Sequence, residues 1–155
     1  MKTLILIIGI FLIFHSCDPG MVYDNFQKTD KGEWSWEDKK IFNVEINDSL
    51  KSYNILLNIR HTKDYPKSNL FVFVNIMAPD GQLLKDTVEI QIADNRGKWL
   101  GHGFGKIKLV TRMYRKGVKF GRKGEYIFTL EQAMRLPEIP VIDVGLRIEN
   151  FVLTN

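Results

Sequence analysis

Hydrophobic and polar residues alternate along most of the chain, and the alternation has the two-residue period of half-buried strands. In 41–47, Phe42, Val44 and Ile46 fall on one face and Asn43, Glu45 and Asn47 on the other. In 53–61, Tyr53, Ile55, Leu57 and Ile59 oppose Asn54, Asn58 and Arg60. Val88, Ile90 and Ile92 pattern 86–92, Tyr126, Phe128 and Leu130 pattern 125–130, and Val144, Leu146 and Ile148 pattern 143–149. In 106–114 the reading turns Ile107, Leu109 and Met113 inward and Lys106, Lys108 and Arg112 outward. Residues 70–77 are apolar on both faces, which predicts a central, doubly covered strand. A weak first strand is expected around Met21 to Phe26. Ile41, Leu56 and Ile127 break the alternation. The one helical signal is a short turn at Thr129 to Arg135, ended by Leu136-Pro137. About eight strands separated by polar turns predict an all-β domain, a β-sandwich or jelly roll. Strand order is not legible in the pattern.

The first residues follow a different rule. Lys2 precedes an unbroken apolar run from Leu4 to Phe14, then His15, Ser16 and Cys17. Eleven apolar residues are too few for a transmembrane helix, which needs roughly 20. The length and flanks are those of an export leader. Cys17 is the only cysteine, and it stands where a lipoprotein leader places the residue that is acylated and becomes the new N-terminus. Ser16 is small, as cleavage requires, whereas Phe14 and His15 depart from the usual Leu-(Ala/Ser)-(Gly/Ala)-Cys pattern. An ordinary secreted protein cut near Ser16 is the competing reading. The preferred division is a leader over 1–16, an acylated N-terminus and tether over 17–32, and one β-sandwich over 33–155.

Without a second cysteine the exported domain has no disulfide, so its core must supply the stability that small exported domains often draw from cross-links. His61 and His102 are the only histidines after the leader, too few for a His/Cys metal site, and no metal or other cofactor is expected. The net charge of +4 conceals an uneven distribution. Residues 95–124 hold ten basic residues and no acid: Arg96, Lys98, Lys106, Lys108, Arg112, Arg115, Lys116, Lys119, Arg122 and Lys123. A solvated face normally mixes signs. The last six, read as lying across a hairpin, form a candidate docking patch for an anionic lipid surface or an acidic protein. Export argues against nucleic acid as the partner.

Other candidates are weaker. Trp34 and Trp36, two apart, would share a strand face and could stack on a sugar ring, with Trp99 as a third indole. Burial at the edge of the core is the preferred reading of the pair. The run Gly97 to Gly105 is rich in glycine but has neither phosphate-binding spacing nor a following helix. Trp99 and His102 within it are candidate ligand contacts. Asp86 and Glu89 are carboxylates that spacing alone does not make a hydrolase pair. No motif assigns a catalytic residue, and the chain is expected not to be an enzyme.

Several stretches together resemble the gliding-motility lipoprotein family GldH of Bacteroidota. They are Cys17-Asp18-Pro19-Gly20, Trp34-Ser35-Trp36, Tyr53-Asn54 with Ile59-Arg60-His61-Thr62, Tyr65-Pro66, Asn69-Leu70, and Gly97-Lys98-Trp99-Leu100-Gly101. Gln132-Ala133-Met134-Arg135 and Val144-Gly145-Leu146-Arg147-Ile148-Glu149 complete the set. The resemblance implies a membrane-anchored, non-enzymatic component of the gliding machinery and its associated secretion system, with envelope proteins as partners. Only the acylated cysteine is carried over, onto Cys17. Surface-bound lipoproteins of this phylum typically carry several acids just after that cysteine. Here only Asp18 is acidic, which favours a periplasm-facing position, with the inner or outer membrane undecided. A glycan-binding sandwich is the alternative function.

Overall fold

The computed structural model describes residues 20–152, so the leader and Cys17 lie outside the described residues. Ten strands run in the order β1 (Met21–Lys28), β2 (Trp34–Ser35), β3 (Lys40–Ile46), β4 (Tyr53–Thr62), β5 (Asn69–Met77), β6 (Leu83–Gln91), β7 (Ile107–Val118), β8 (Gly124–Gln132), β9 (Glu138–Ile139) and β10 (Val141–Asn150). Two four-stranded antiparallel sheets form, ordered β1-β10-β4-β7 and β3-β8-β5-β6, with β2 and β9 pairing separately. Long-range pairs dominate: β1 is bonded to β10 and β3 to β8. The expected first strand is thus a sheet strand, and it lies within the segment 17–32 read as tether.

The alternation becomes the core. Phe42, Val44 and Ile46 from β3, Leu70, Val72 and Val74 from β5, and Tyr126, Phe128 and Leu130 from β8 face Ile55, Leu57 and Ile59 of β4 and Val144, Leu146 and Ile148 of β10. Each such side chain contributes roughly 1.5–3 kcal/mol by leaving water. The edges are matched. Tyr23 on β1 meets Phe42 on β3 edge to face at 6.5 Å, and on the other side β7 lies against β6 through Arg115 and Asp86, 3.0 Å apart. Outside the first sheet, Gly145 leaves room for Phe26: a Cβ there would lie 2.8 Å from the Phe26 ring. Arg60 covers that ring at 4.5 Å and reaches Asp143 at 3.1 Å.

Three expectations change. No helix occurs among the described residues; β8 runs through Gln132, whose amide then donates to Leu136 O at 2.8 Å and accepts from Met134 N at 2.9 Å. A side chain closes that turn where helical hydrogen bonds were expected. β5 is central but covered on one face only, and Phe71, Phe73 and Met77 are exposed on the other. Ile41 shares that open face, while Leu56 and Ile127 are partly buried on outer faces.

The inward and outward sets of β7 are exchanged. Lys108, Val110 and Arg112 pair with His61, Ile59 and Leu57 on the core-facing side, and Ile107 and Met113 are exposed on the other. β7 is an edge strand, so long cationic side chains can start inward and still reach water. Inward-pointing charge on an edge also discourages pairing with another chain.

Candidate functional site at the tether end

Antiparallel pairing brings distant segments to one end of the sandwich. Gly20 O accepts from Asn150 N at 2.7 Å, and Phe151 N donates to Ser52 O at 2.8 Å. Tyr53 pairs with Val118, and its ring meets Phe120 at 5.4 Å. The loops 47–52, 78–82 and 119–123 therefore close the same end at which the chain enters β1. Cys17 is three residues before Gly20 and so within about 10 Å of it along the chain.

The basic block does not form one patch. β7 spans roughly 40 Å at ~3.3 Å per residue, and the ten cations are strung along it and beyond both its ends. Lys116, Lys119, Arg122 and Lys123 belong to the tether end, with Lys51 nearby in sequence to Ser52. Arg122 is paired with Asp80 at 3.1 Å, and Lys51 stands 4.0 Å from Asp48. Lys116, Lys119 and Lys123 form no ion pair among the described residues, and the Lys116 ammonium lies 5.8 Å from the Phe151 ring. Arg112 lies further along β7 beside Leu100 and His102. Arg96, Lys98, Lys106 and Lys108 belong to the far end. The segment 119–123 is not a hairpin, since it carries the chain from one sheet to the other.

Arg115 bridges the two groups. Its guanidinium meets Asp86 at 3.0 Å, and the Tyr114 hydroxyl donates to the same oxygen at 3.2 Å. Burial raises the Tyr114 phenol above its ordinary value, so it stays protonated and remains a donor. This clasp joins edge strands β6 and β7. Between it and the tether end the sheets splay into an open cleft of about 700 Å³, lined by Ile55, Ile76, Leu84, Val118, Phe120 and Tyr126. Register shifts in β7 between its partners Tyr53 and Leu56 accompany the splay. Leu84 sits opposite Ile76 on the core-facing side, yet 41% of it is exposed.

The other candidates are scattered. Trp34 is fully buried and its indole donates to Asp38 O at 2.8 Å. Trp36, past the end of β2, is 51% exposed. Trp99 is partly buried, with its ring 5.1 Å from that of His61. The three indoles thus form no common platform for a sugar. Trp99 and His102 are not brought together either: His102 is exposed and exchanges both backbone hydrogen bonds with Leu109.

The histidine that matters to the structure is His61, which the sequence marks only by its place in an alternating strand. It is fully buried between Tyr65 and Trp99. Its Nδ1 lies 2.9 Å from Thr62 O, and its Nε2 has no partner among the described residues. Burial pushes its pKa below the ordinary value, outweighing the Thr62 carbonyl, and Lys108 acts in the same sense as burial. The unfolded chain then takes up a proton at higher pH than the folded one, so stability is lost as pH falls below about 6.5. Thermal melts between pH 7.5 and 5 should show Tm falling, and His61→Phe should flatten that decline.

A family model described as GldH lipoprotein matches residues 21–148, which take in every strand but the end of β10. The chain is 37% identical over 146 residues to the gliding motility lipoprotein GldH homolog of Christiangramia forsetii, covering 89% of each protein. It is 36% identical over 153 residues to the gliding motility lipoprotein GldH of Flavobacterium johnsoniae, covering 94% of each. The chain belongs to the GldH lipoprotein family.

Proposed function

We propose that this GldH-family protein is an envelope lipoprotein held to a membrane by acyl chains on Cys17. In this reading it has no catalytic activity and serves as an accessory or assembly component of the gliding machinery and its associated secretion system, facing the periplasm. The observation that carries the reading is the family match across the whole sandwich. The sole cysteine, directly after an export leader and within reach of Gly20, supports it. Anchoring confines the domain to a thin layer and raises its effective concentration for partners in the same membrane. Among the described residues no helix is long and apolar enough to cross a membrane. The test is complementation. Expressed in a Flavobacterium johnsoniae strain lacking its own GldH, the wild-type chain should restore colony spreading. Stable expression without any restoration would count against a role in the machinery.

A further inference from the structure

We infer that the cleft between β6 and β7 is a seat for a single anionic phospholipid of the membrane to which the chain is tethered, one acyl chain lying between the sheets and the phosphate on the cations at the mouth. The inference rests on the Cys17 anchor for its choice of lipid, but its test does not use that anchor.

Three observations converge. The cleft, about 700 Å³, is within the roughly 300–1,000 Å³ typical of small-molecule sites. Its walls are Ile55, Ile76, Leu84, Val118 and Phe120, and in a closed sandwich the core-facing Leu84 would be covered by the opposite sheet. It is left open to solvent instead, and an acyl chain would provide the missing contacts. The polar groups are placed at the mouth. Arg115, Lys119 and Arg122 line it; Asp86 holds Arg115 at 3.0 Å and Asp80 holds Arg122 at 3.1 Å, so Lys119 is the lining cation left to a ligand. Among the described residues Lys119 is exposed and forms no ion pair, and Arg115 Nε is buried and has no hydrogen-bond partner. Apolar walls with a cationic mouth complement an anionic amphiphile, and a neutral one much less. The position narrows the source. The cleft opens at the end where the chain enters β1, across three strand spacings from Gly20, about 15 Å. A tether of a few residues keeps that end beside the bilayer, where lipids are the most abundant amphiphiles.

The experiment takes the mature chain from residue 17 with Cys17→Ser, which keeps every described strand, and titrates it with soluble probes. They are palmitoyl lysophosphatidylglycerol below its micelle-forming concentration, palmitoyl lysophosphatidylcholine, and glycerol phosphate. The expected result is saturable one-to-one binding of the first, at least tenfold weaker binding of the second, and none of the third. Leu84→Arg should fill the cleft and weaken binding at least tenfold. Lys119→Glu should weaken it at least fivefold with unchanged Tm, and this exposed site keeps the test open should Leu84→Arg fail to fold. Equal binding of both lysolipids, binding of glycerol phosphate alone, or binding indifferent to both substitutions would overturn the proposal. So would self-association that Leu84→Arg abolishes with no lysolipid bound, which would assign the cleft to a second copy. Any of these can occur while Cys17 still anchors the protein in cells, so the two readings fail separately.

Discussion

Replacing Cys17 by Ala is expected to move the protein from the membrane fraction to the soluble fraction, the largest change any single substitution should produce. The magnitude follows from the acyl chains. One myristoyl-sized chain gives only reversible attachment, with a binding constant of about 10⁴ M⁻¹, and each further buried CH₂ adds about 0.8 kcal/mol, so a cysteine with two or more chains is held firmly. What remains without them is the charge of the tether end. The pairs Arg122–Asp80 and Lys51–Asp48 largely cancel, which leaves Lys116, Lys119 and Lys123 against the exposed Glu45 and Glu125 that face each other across β3 and β8. At about 1 kcal/mol per net positive charge near anionic headgroups, this end holds the protein no more than about tenfold above background. That residue of binding should vanish in 1 M salt, where the Debye length is about 3 Å. Carbonate- and salt-washed envelopes from cells expressing wild type and Cys17→Ala provide the measurement. A variant that stays with the membrane after the salt wash would show that acylation is not the attachment.

The same charges show how far the primary structure could be read. Strand existence was legible because a sheet with one buried face imposes a two-residue period, and Phe42, Val44 and Ile46 display it without interruption. The faces of β7 were not, because Ile107-Lys108-Leu109-Val110 offers an apolar residue on either side, and only the strand's edge position decides which side can keep its charges. The exposed face of β5 was hidden for a related reason. Phe71 and Phe73 read as core by composition, but nothing along the chain reports whether a second layer covers them. Ten cations in thirty residues formed one acid-free block in the sequence, with Arg112, Arg115, Lys116, Lys119, Arg122 and Lys123 as its candidate docking patch. Carried along a long strand and the segments beyond it, they divide between opposite ends, with Lys116, Lys119, Arg122 and Lys123 at the end where the chain enters β1. The cleft was beyond sequence altogether. It depends on where β6 and β7 part, beside the register shifts of β7 against β4. The family was legible, because its matching stretches are local and run in order along the chain.

The two tryptophans at 34 and 36 should respond to alanine in opposite ways, although they stand two residues apart. Trp34 is fully buried, belongs to the two-stranded pair with β9, where it lies opposite the equally buried Ile139, and is tied through its indole to Asp38 O. Removing so large a side chain leaves a cavity and an unpaired carbonyl, at a cost of about 3–5 kcal/mol. Against a total of roughly 5–15 kcal/mol for a domain of this kind, that is a large share, and Tm should fall by about 10–20 °C. Trp36 lies past the end of β2 with half its surface in water, so Trp36→Ala should stay within about 0.5 kcal/mol. Calorimetry on the two variants reads the difference directly. Fluorescence gives a second reading, since losing Trp34 should remove the component least accessible to a soluble quencher, and losing Trp36 the most accessible one. Equal costs would mean that both indoles pack into the core and that the register of β2 is displaced. The contrast also bears on function. A residue as open as Trp36 with no stability role is free to contact another molecule, but it stands alone, and a single exposed ring without a second indole or a polar cradle gives a sugar nothing to select it by.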